Sequence, residues 1–157
     1  MIKTKNKITE PSMSPDLATS TPEETVFTPH LDTDTNYKIL LVEDDFFLAD
    51  IYQTKLSIED YDVLVAQDGM EGLTLAAEHV PDLILLDIML PKMDGLEVLK
   101  KLKANATTKN IPVILLSNLG QEFVVKGGLN LGAVDYLLKS DLTPREVIEK
   151  IRKYLHK

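Results

Sequence analysis

The residues with the most chemical potential in this chain sit at or just beyond the ends of short apolar runs. Glu43 and Asp44 follow the run 38–42, Asp87 follows 83–86, Ser117 follows 112–116, and Lys139 closes the run that begins at 134. If the first and third runs are neighbouring strands, Glu43, Asp44 and Asp87 converge on one small volume, where three carboxylates resist full ionisation without a counter-charge. A hard divalent cation resolves that conflict. An oxygen-only donor set with room for waters suits Mg²⁺ or Mn²⁺ better than Zn²⁺. A cation in that position also lets a carboxylate of Asp87 attack an anionic phosphoryl donor. Ser117 offers a hydroxyl to one phosphoryl oxygen and Lys139 a point charge to another. Together they make a site for an aspartyl phosphate.

Taken singly, each residue has an ordinary reading. Asp44 is a solvated loop residue, Asp45 the cap of a first helix, Asp87 a turn or helix cap, Ser117 a turn residue and Lys139 a surface lysine. A tyrosine such as Tyr136 on a last strand is usually half-buried core with its hydroxyl in water. Their joint placement at successive run ends is what favours chemistry.

Positioning them requires a regular scaffold, and the texture of the sequence supplies one from Tyr37 onward. Runs at 38–42, 62–66, 83–86, 112–116 and 134–137 are rich in Ile, Leu and Val, the pattern of strands covered on both faces. Between them lie amphipathic stretches at about 45–58, 69–79, 95–104, 121–130 and 144–155, with apolar residues three and four apart. Asp68 precedes Glu71, Asp94 precedes Glu97 and Thr143 precedes Glu146 at capping-box spacing, and Pro144 occupies a first helical position. Alternating strands and helices predict a parallel sheet with helices on both faces and ligands outside the carboxyl ends of the strands. The pair Gly127-Gly128 costs about 1 kcal/mol per glycine relative to alanine, so the fourth helix is expected to be short, broken or mobile.

Residues 1–36 hold Pro11, Pro15, Pro22 and Pro29, half of the chain's 8 prolines, and show no apolar periodicity. They are expected to form a disordered tail in front of one domain at 37–157. The formal net charge of −8 repels nucleic-acid backbone and anionic lipid, so direct nucleic-acid binding is not expected. No apolar stretch approaches the roughly 20 residues of a membrane span, which argues against membrane insertion. The absence of cysteine excludes disulfides and thiolate metal sites. The basic start leads into polar residues rather than an apolar core, so a cytoplasmic location is the default expectation.

Three segments then carry a resemblance. Ile39-Leu40-Leu41-Val42-Glu43-Asp44-Asp45, the stretch from Asp82 through Leu85-Leu86-Asp87 and Pro91-Lys92-Met93-Asp94 to Gly95, and Gly132-Ala133-Val134-Asp135-Tyr136-Leu137-Leu138-Lys139 resemble the receiver domain of two-component response regulators. The resemblance covers essentially all of 37–157. It implies a flavodoxin-like three-layer α/β/α sandwich with a five-stranded parallel sheet of order 2-1-3-4-5. It also implies phosphorylation of Asp87 by a histidine kinase or phosphotransfer protein, and Mg²⁺ held by Glu43, Asp44, Asp87 and the main-chain carbonyl of Met89. Ser117 and Tyr136 would move together on phosphorylation and reshape the surface of the fourth helix, fifth strand and fifth helix.

Two positions depart from the family pattern. Asn118 stands where a small residue is usual, which makes it, with Met89, a candidate modulator of phosphoryl lifetime. Ser140 replaces the usual proline after Lys139, so no cis peptide is expected there. With nothing after Lys157, the chain is expected to act without an output domain, as a phosphoacceptor switch rather than an enzyme, through an unidentified protein target. One alternative is a receiver-like scaffold that binds a partner without phosphorylation. A second is a magnesium-dependent aspartyl-phosphate phosphatase, which would need an Asp-x-Asp pair after the first strand and a cap insertion. A flavodoxin-like nucleotide carrier would need a hydroxyl- and glycine-rich loop where Glu43-Asp44-Asp45 stands.

Overall fold

In a computed structural model, residues 36–155 are described. Strands β1 (Lys38–Val42), β2 (Asp62–Ala66), β3 (Leu83–Leu86), β4 (Val113–Ser117) and β5 (Asp135–Leu138) alternate with helices α1 (Phe46–Ile58), α2 (Gly69–His79), α3 (Gly95–Ala104), α4 (Glu122–Asn130) and α5 (Pro144–Leu155). The strands form one parallel sheet in the order β2-β1-β3-β4-β5, with Val42 level with both Ala66 and Leu86. This is the flavodoxin-like arrangement expected from the sequence.

Successive strand residues face opposite sides of a sheet, and the two cores follow that alternation. Ile39, Leu41, Leu83, Leu85, Ile114, Leu116 and Leu137 pack against Ala49, Tyr52 and Leu56 of α1 and Val147, Ile148 and Ile151 of α5. Leu40, Val42, Ile84, Leu86, Val113 and Leu115 pack against α2 and α3, with Val124 of α4 at their margin. Ile39, Leu40, Leu83, Ile84 and Leu85 are all fully buried. At about 25 cal/mol per Å² of apolar surface, this two-sided burial is the main stabilising contribution.

Four of the five helix starts show side-chain capping. Asp45 accepts from the Leu48 amide at 3.1 Å, Asp68 from Glu71 at 2.8 Å and Asp94 from Glu97 at 3.0 Å. Thr143 and Glu146 form the reciprocal capping box in full. Helix α4 lacks a side-chain cap, since Gln121 makes no such bond.

Two strands, β4 and β5, begin and end one residue later than the sequence reading. Pro112 has no N–H to give, so it contributes only its carbonyl, which accepts from Ile84 at 3.0 Å, and β4 begins one residue later. Val134 donates to Val113 at 2.9 Å but stands outside β5.

Helix α4 is short yet unbroken through Gly127 and Gly128. A Cβ on Gly128 would meet Leu115 Cδ1 at 2.4 Å, so this glycine lets the helix lie close on the sheet. The expected tail falls almost wholly on 1–35, outside the described residues. Among the described residues no helix is long and apolar enough to cross a membrane.

Candidate functional site

Ladder hydrogen bonds run one residue past the strands and fix the polar residues there. Glu43 N–H donates to Ala66 at 2.9 Å, Asp87 N–H to Val42 at 3.0 Å and Lys139 N–H to Ser117 at 2.9 Å. Continuing the alternation, Glu43, Asp87 and Lys139 share the sheet side of α1 and α5, whereas Ser117 shares the side of α2, α3 and α4.

Glu43 and Asp87 are 2% and 5% exposed, respectively. Lys139 Nζ lies 2.7 Å from Glu43 Oε2 and 2.8 Å from Asp87 Oδ2, so one ammonium serves two buried carboxylates. The other oxygens are held by main chain: Asp45 N–H donates to Glu43 Oε1 at 3.1 Å and Met89 N–H to Asp87 Oδ1 at 3.2 Å. Asp44 is exposed at the rim, and Glu43, Asp44 and Asp87 each present an oxygen within 4.8 Å of the others.

Burial raises the Glu43 carboxyl above its usual range, against the opposing hydrogen bond from Lys139. Burial alone would lower Lys139, yet its hydrogen bonds to Asp87 and Glu43 outweigh that and hold the ammonium above its ordinary value. With three carboxylates grouped around one ammonium, the site carries more negative charge than that ammonium balances. Hard oxygen donors with an excess of negative charge are the donor set that a small divalent cation requires. The residues therefore fit such an ion.

Lys139→Met is accordingly expected to leave two buried carboxylates without their ammonium and to cost about 3 kcal/mol near pH 8. The folded variant would hold a carboxyl whose pKa lies above its unfolded value, so it binds more protons folded than unfolded. Its stability then falls as pH rises through that window. Denaturant titrations at about pH 5 and about pH 8 should show the smaller loss at the lower pH. An equal loss at both would mean that packing, not charge, accounts for it.

On the opposite side, Ser117 is completely buried and its Oγ accepts from the Leu119 amide at 3.2 Å. The Tyr136 hydroxyl donates to the Leu119 carbonyl. Burial pushes this phenol up, opposed by the neighbouring Ser117 side chain. The sequence reading left the Tyr136 hydroxyl in water, whereas it has a main-chain acceptor; the ring itself is half-buried, as read. Gly128 lies beside the ring, where a Cβ would stand 3.4 Å from Tyr136 Cδ2, an ordinary contact distance. Asn118 and the Met89 side chain are exposed at the mouth of the site. No peptide bond among the described residues is cis.

Two supports were not visible in the residue types. Gly95 donates to Ile88 at 2.7 Å and passes so close to Asp87 that a Cβ would lie 2.1 Å from the Asp87 carbonyl oxygen. Lys92, at φ 71°, pairs with Asp68 at 3.3 Å and ties the loop after β3 to the start of α2. Leu119 acts only through its main chain, for which its side chain gives no signal.

The family model of the response regulator receiver domain matches residues 39–152. The alkaline phosphatase synthesis transcriptional regulatory protein PhoP of Bacillus subtilis is 41% identical over 122 residues, covering 78% of this chain and 50% of that protein. The chain thus spans about half the length of this curated relative. A CheY-like response regulator receiver domain from Methanospirillum hungatei superposes with a TM-score of 0.72 at 31% identity, over 77% of this chain and 94% of that one. The CheX-CheY-BeF3-Mg²⁺ complex from Borrelia burgdorferi gives a TM-score of 0.71 at 30% identity, over 77% and 90%.

Proposed function

This chain belongs to the response regulator receiver domain family, and we propose that it is a switch that accepts a phosphoryl group on Asp87 from a histidine kinase or phosphotransfer protein. The observation that carries the reading is the pair of buried carboxylates sharing Lys139, with a third carboxylate at the rim. Phosphorylation and magnesium binding are general features of the family.

In the proposed reaction an oxygen of Asp87 attacks phosphorus. The new O–P bond forms as the P–N bond of a phosphohistidine breaks, and the departing imidazole takes a proton from solvent. Glu43, Asp44, Asp87 and the main-chain carbonyl of Met89 would hold Mg²⁺ or Mn²⁺, which when bound neutralises charge on the phosphoryl oxygens. Lys139, already aimed at Asp87, keeps one cationic contact on the modified group. Met89 N–H orients the carboxylate. Asn118 and the Met89 side chain stand where they limit the approach of water to the acyl phosphate.

Ser117 delivers the signal to the other side of the sheet. A hydroxyl drawn to a phosphoryl oxygen gains a charge-assisted hydrogen bond of about 1.5–3 kcal/mol, and releases the Leu119 amide it now accepts from. Tyr136 bonds the carbonyl of the same residue, so the segment leading into α4 responds to both. A gain of that size is enough to shift a two-state equilibrium. Output then passes to another macromolecule by a phosphorylation-dependent protein contact, in a cytoplasmic setting.

Asp44→Asn should weaken the binding of Mg²⁺, followed by titration, by about tenfold, the worth of one charged ligand at a site with few protein donors. Unchanged affinity would make the acidic cluster a surface feature. For the N-terminal segment, we propose a solvated tail that the domain does not need. Deleting 1–36 should leave the thermal midpoint within about 2 °C of the parent. A larger drop would mean that part of it, for instance Val26-Phe27, packs on the domain.

A further inference from the structure

Beside the acidic site, between the loop after β3 and the start of α4, runs an open groove of about 580 Å³. Its lining is apolar for most of its extent: Met89 and Leu90 come from the loop, Leu96 from α3, and Leu119 and Val124 from the segment entering α4. Met89 is 60% exposed, and Phe123, the neighbour of Val124, is 76% exposed. The charged residues of the lining are Asp44 and Asp94, and neither Lys nor Arg is among them. The lysine of the adjoining loop, Lys92, is engaged by Asp68 instead.

This combination differs from the cleft between α1 and α5, of about 290 Å³, where Lys55, Arg145 and Arg152 stand beside Glu59 and Glu149, so that both signs are present. An apolar trough with carboxylates and no cation is complementary to an apolar surface that brings its own positive charge. A helix lays apolar side chains along such a trough at spacings of three and four. Lysines or arginines on the flanks of its apolar face then meet the rim acids.

We propose that this groove is the docking surface for a basic amphipathic helix of a partner protein. The groove is bounded by groups the site controls. Met89 donates to Asp87, and Leu119 bonds both Ser117 and Tyr136. Occupancy of the groove is therefore positioned to respond to the state of the site, although docking itself does not rest on the phosphoacceptor reading.

The test uses the full chain without any phosphodonor and, as probe, a fluorescent leucine–lysine helix of about four turns, followed by anisotropy. Two control probes carry alanine for leucine or glutamate for lysine. Binding of the leucine–lysine helix alone, with shifts in the methyl signals of Leu119 and Val124, is the expected result. Met89→Lys, at an exposed position, should weaken it at least about tenfold by removing apolar area and adding like charge. Asp94→Asn, which keeps a capping side chain, should weaken it about threefold. Ile58→Lys, on the α1–α5 face, should leave it within about twofold. Equal losses in Met89→Lys and Ile58→Lys, equal binding of the alanine probe, or no binding to the parent would each overturn the proposal. Tighter binding of the glutamate probe would reverse the assigned partner charge and overturn it as well.

Discussion

Replacing Gly95 by alanine is expected to remove about 3 kcal/mol of folding stability and to disorganise the site at the same time. The new methyl carbon would lie 2.1 Å from the Asp87 carbonyl oxygen, 2.7 Å from Ile88 Cα and 2.9 Å from the Asp87 carbonyl carbon. All three neighbours are backbone, so no rotamer change relieves the contact. The start of α3 must move off the end of β3, which breaks the 2.7 Å bond from Gly95 N–H to Ile88. The same movement pulls on the segment that orients Asp87 through the Met89 amide. Such a loss is a large fraction of the total stability of a domain, about 5–15 kcal/mol.

The same substitution has opposite consequences one helix further on. Gly127 has nothing within 4 Å of where its Cβ would be, so Gly127→Ala should stabilise α4 by about 0.5–1 kcal/mol. Gly128→Ala meets a terminal methyl of the Leu115 side chain at 2.4 Å, rather than backbone, and should fall between the two. Urea denaturation of the three variants should order them as Gly127→Ala above the parent, then Gly128→Ala, then Gly95→Ala. A Gly95→Ala variant as stable as the parent would mean that the loop after β3 is slack and does not fix Asp87.

These glycines also mark where the sequence stopped being legible. Strand and helix positions were readable to within a residue because runs such as Leu83–Leu86 and capping pairs such as Thr143 with Glu146 are local signals. The convergence of Glu43, Asp87 and Lys139 was readable because run ends on one sheet edge must meet once the order of strands is known. What a glycine is for depends instead on the element packed over it. Gly127 and Gly128 look alike along the chain, yet one faces open space and the other faces Leu115 and Tyr136. The partner of the Tyr136 hydroxyl was not legible either, since its acceptor is a main-chain carbonyl. Lys139 was read as a group for a phosphoryl oxygen. Its present role as shared counter-ion follows from the burial of Glu43, which local sequence does not reveal.

The largest effect of all is expected from Asp87→Asn. The amide keeps the size and the hydrogen-bonding reach of the carboxylate, so the contacts of Asp87 with Met89 and Lys139 have near-isosteric replacements and the fold should persist. It removes the proposed nucleophile, because an amide oxygen is far weaker toward phosphorus than a carboxylate. It also withdraws one of the three carboxylates grouped for the cation. Glu43 is engaged by both Lys139 and the Asp45 amide, and Asp44 is exposed and lacks the ammonium beside it, so neither takes over the role.

The most direct measurement is the intact mass of the parent and of Asp87→Asn after incubation with Mg²⁺ and a small phosphodonor such as acetyl phosphate. The account predicts one added phosphoryl group on the parent and none on Asp87→Asn, with both proteins equally folded by circular dichroism. Undiminished labelling of Asp87→Asn, or a parent that never gains the mass, would contradict it.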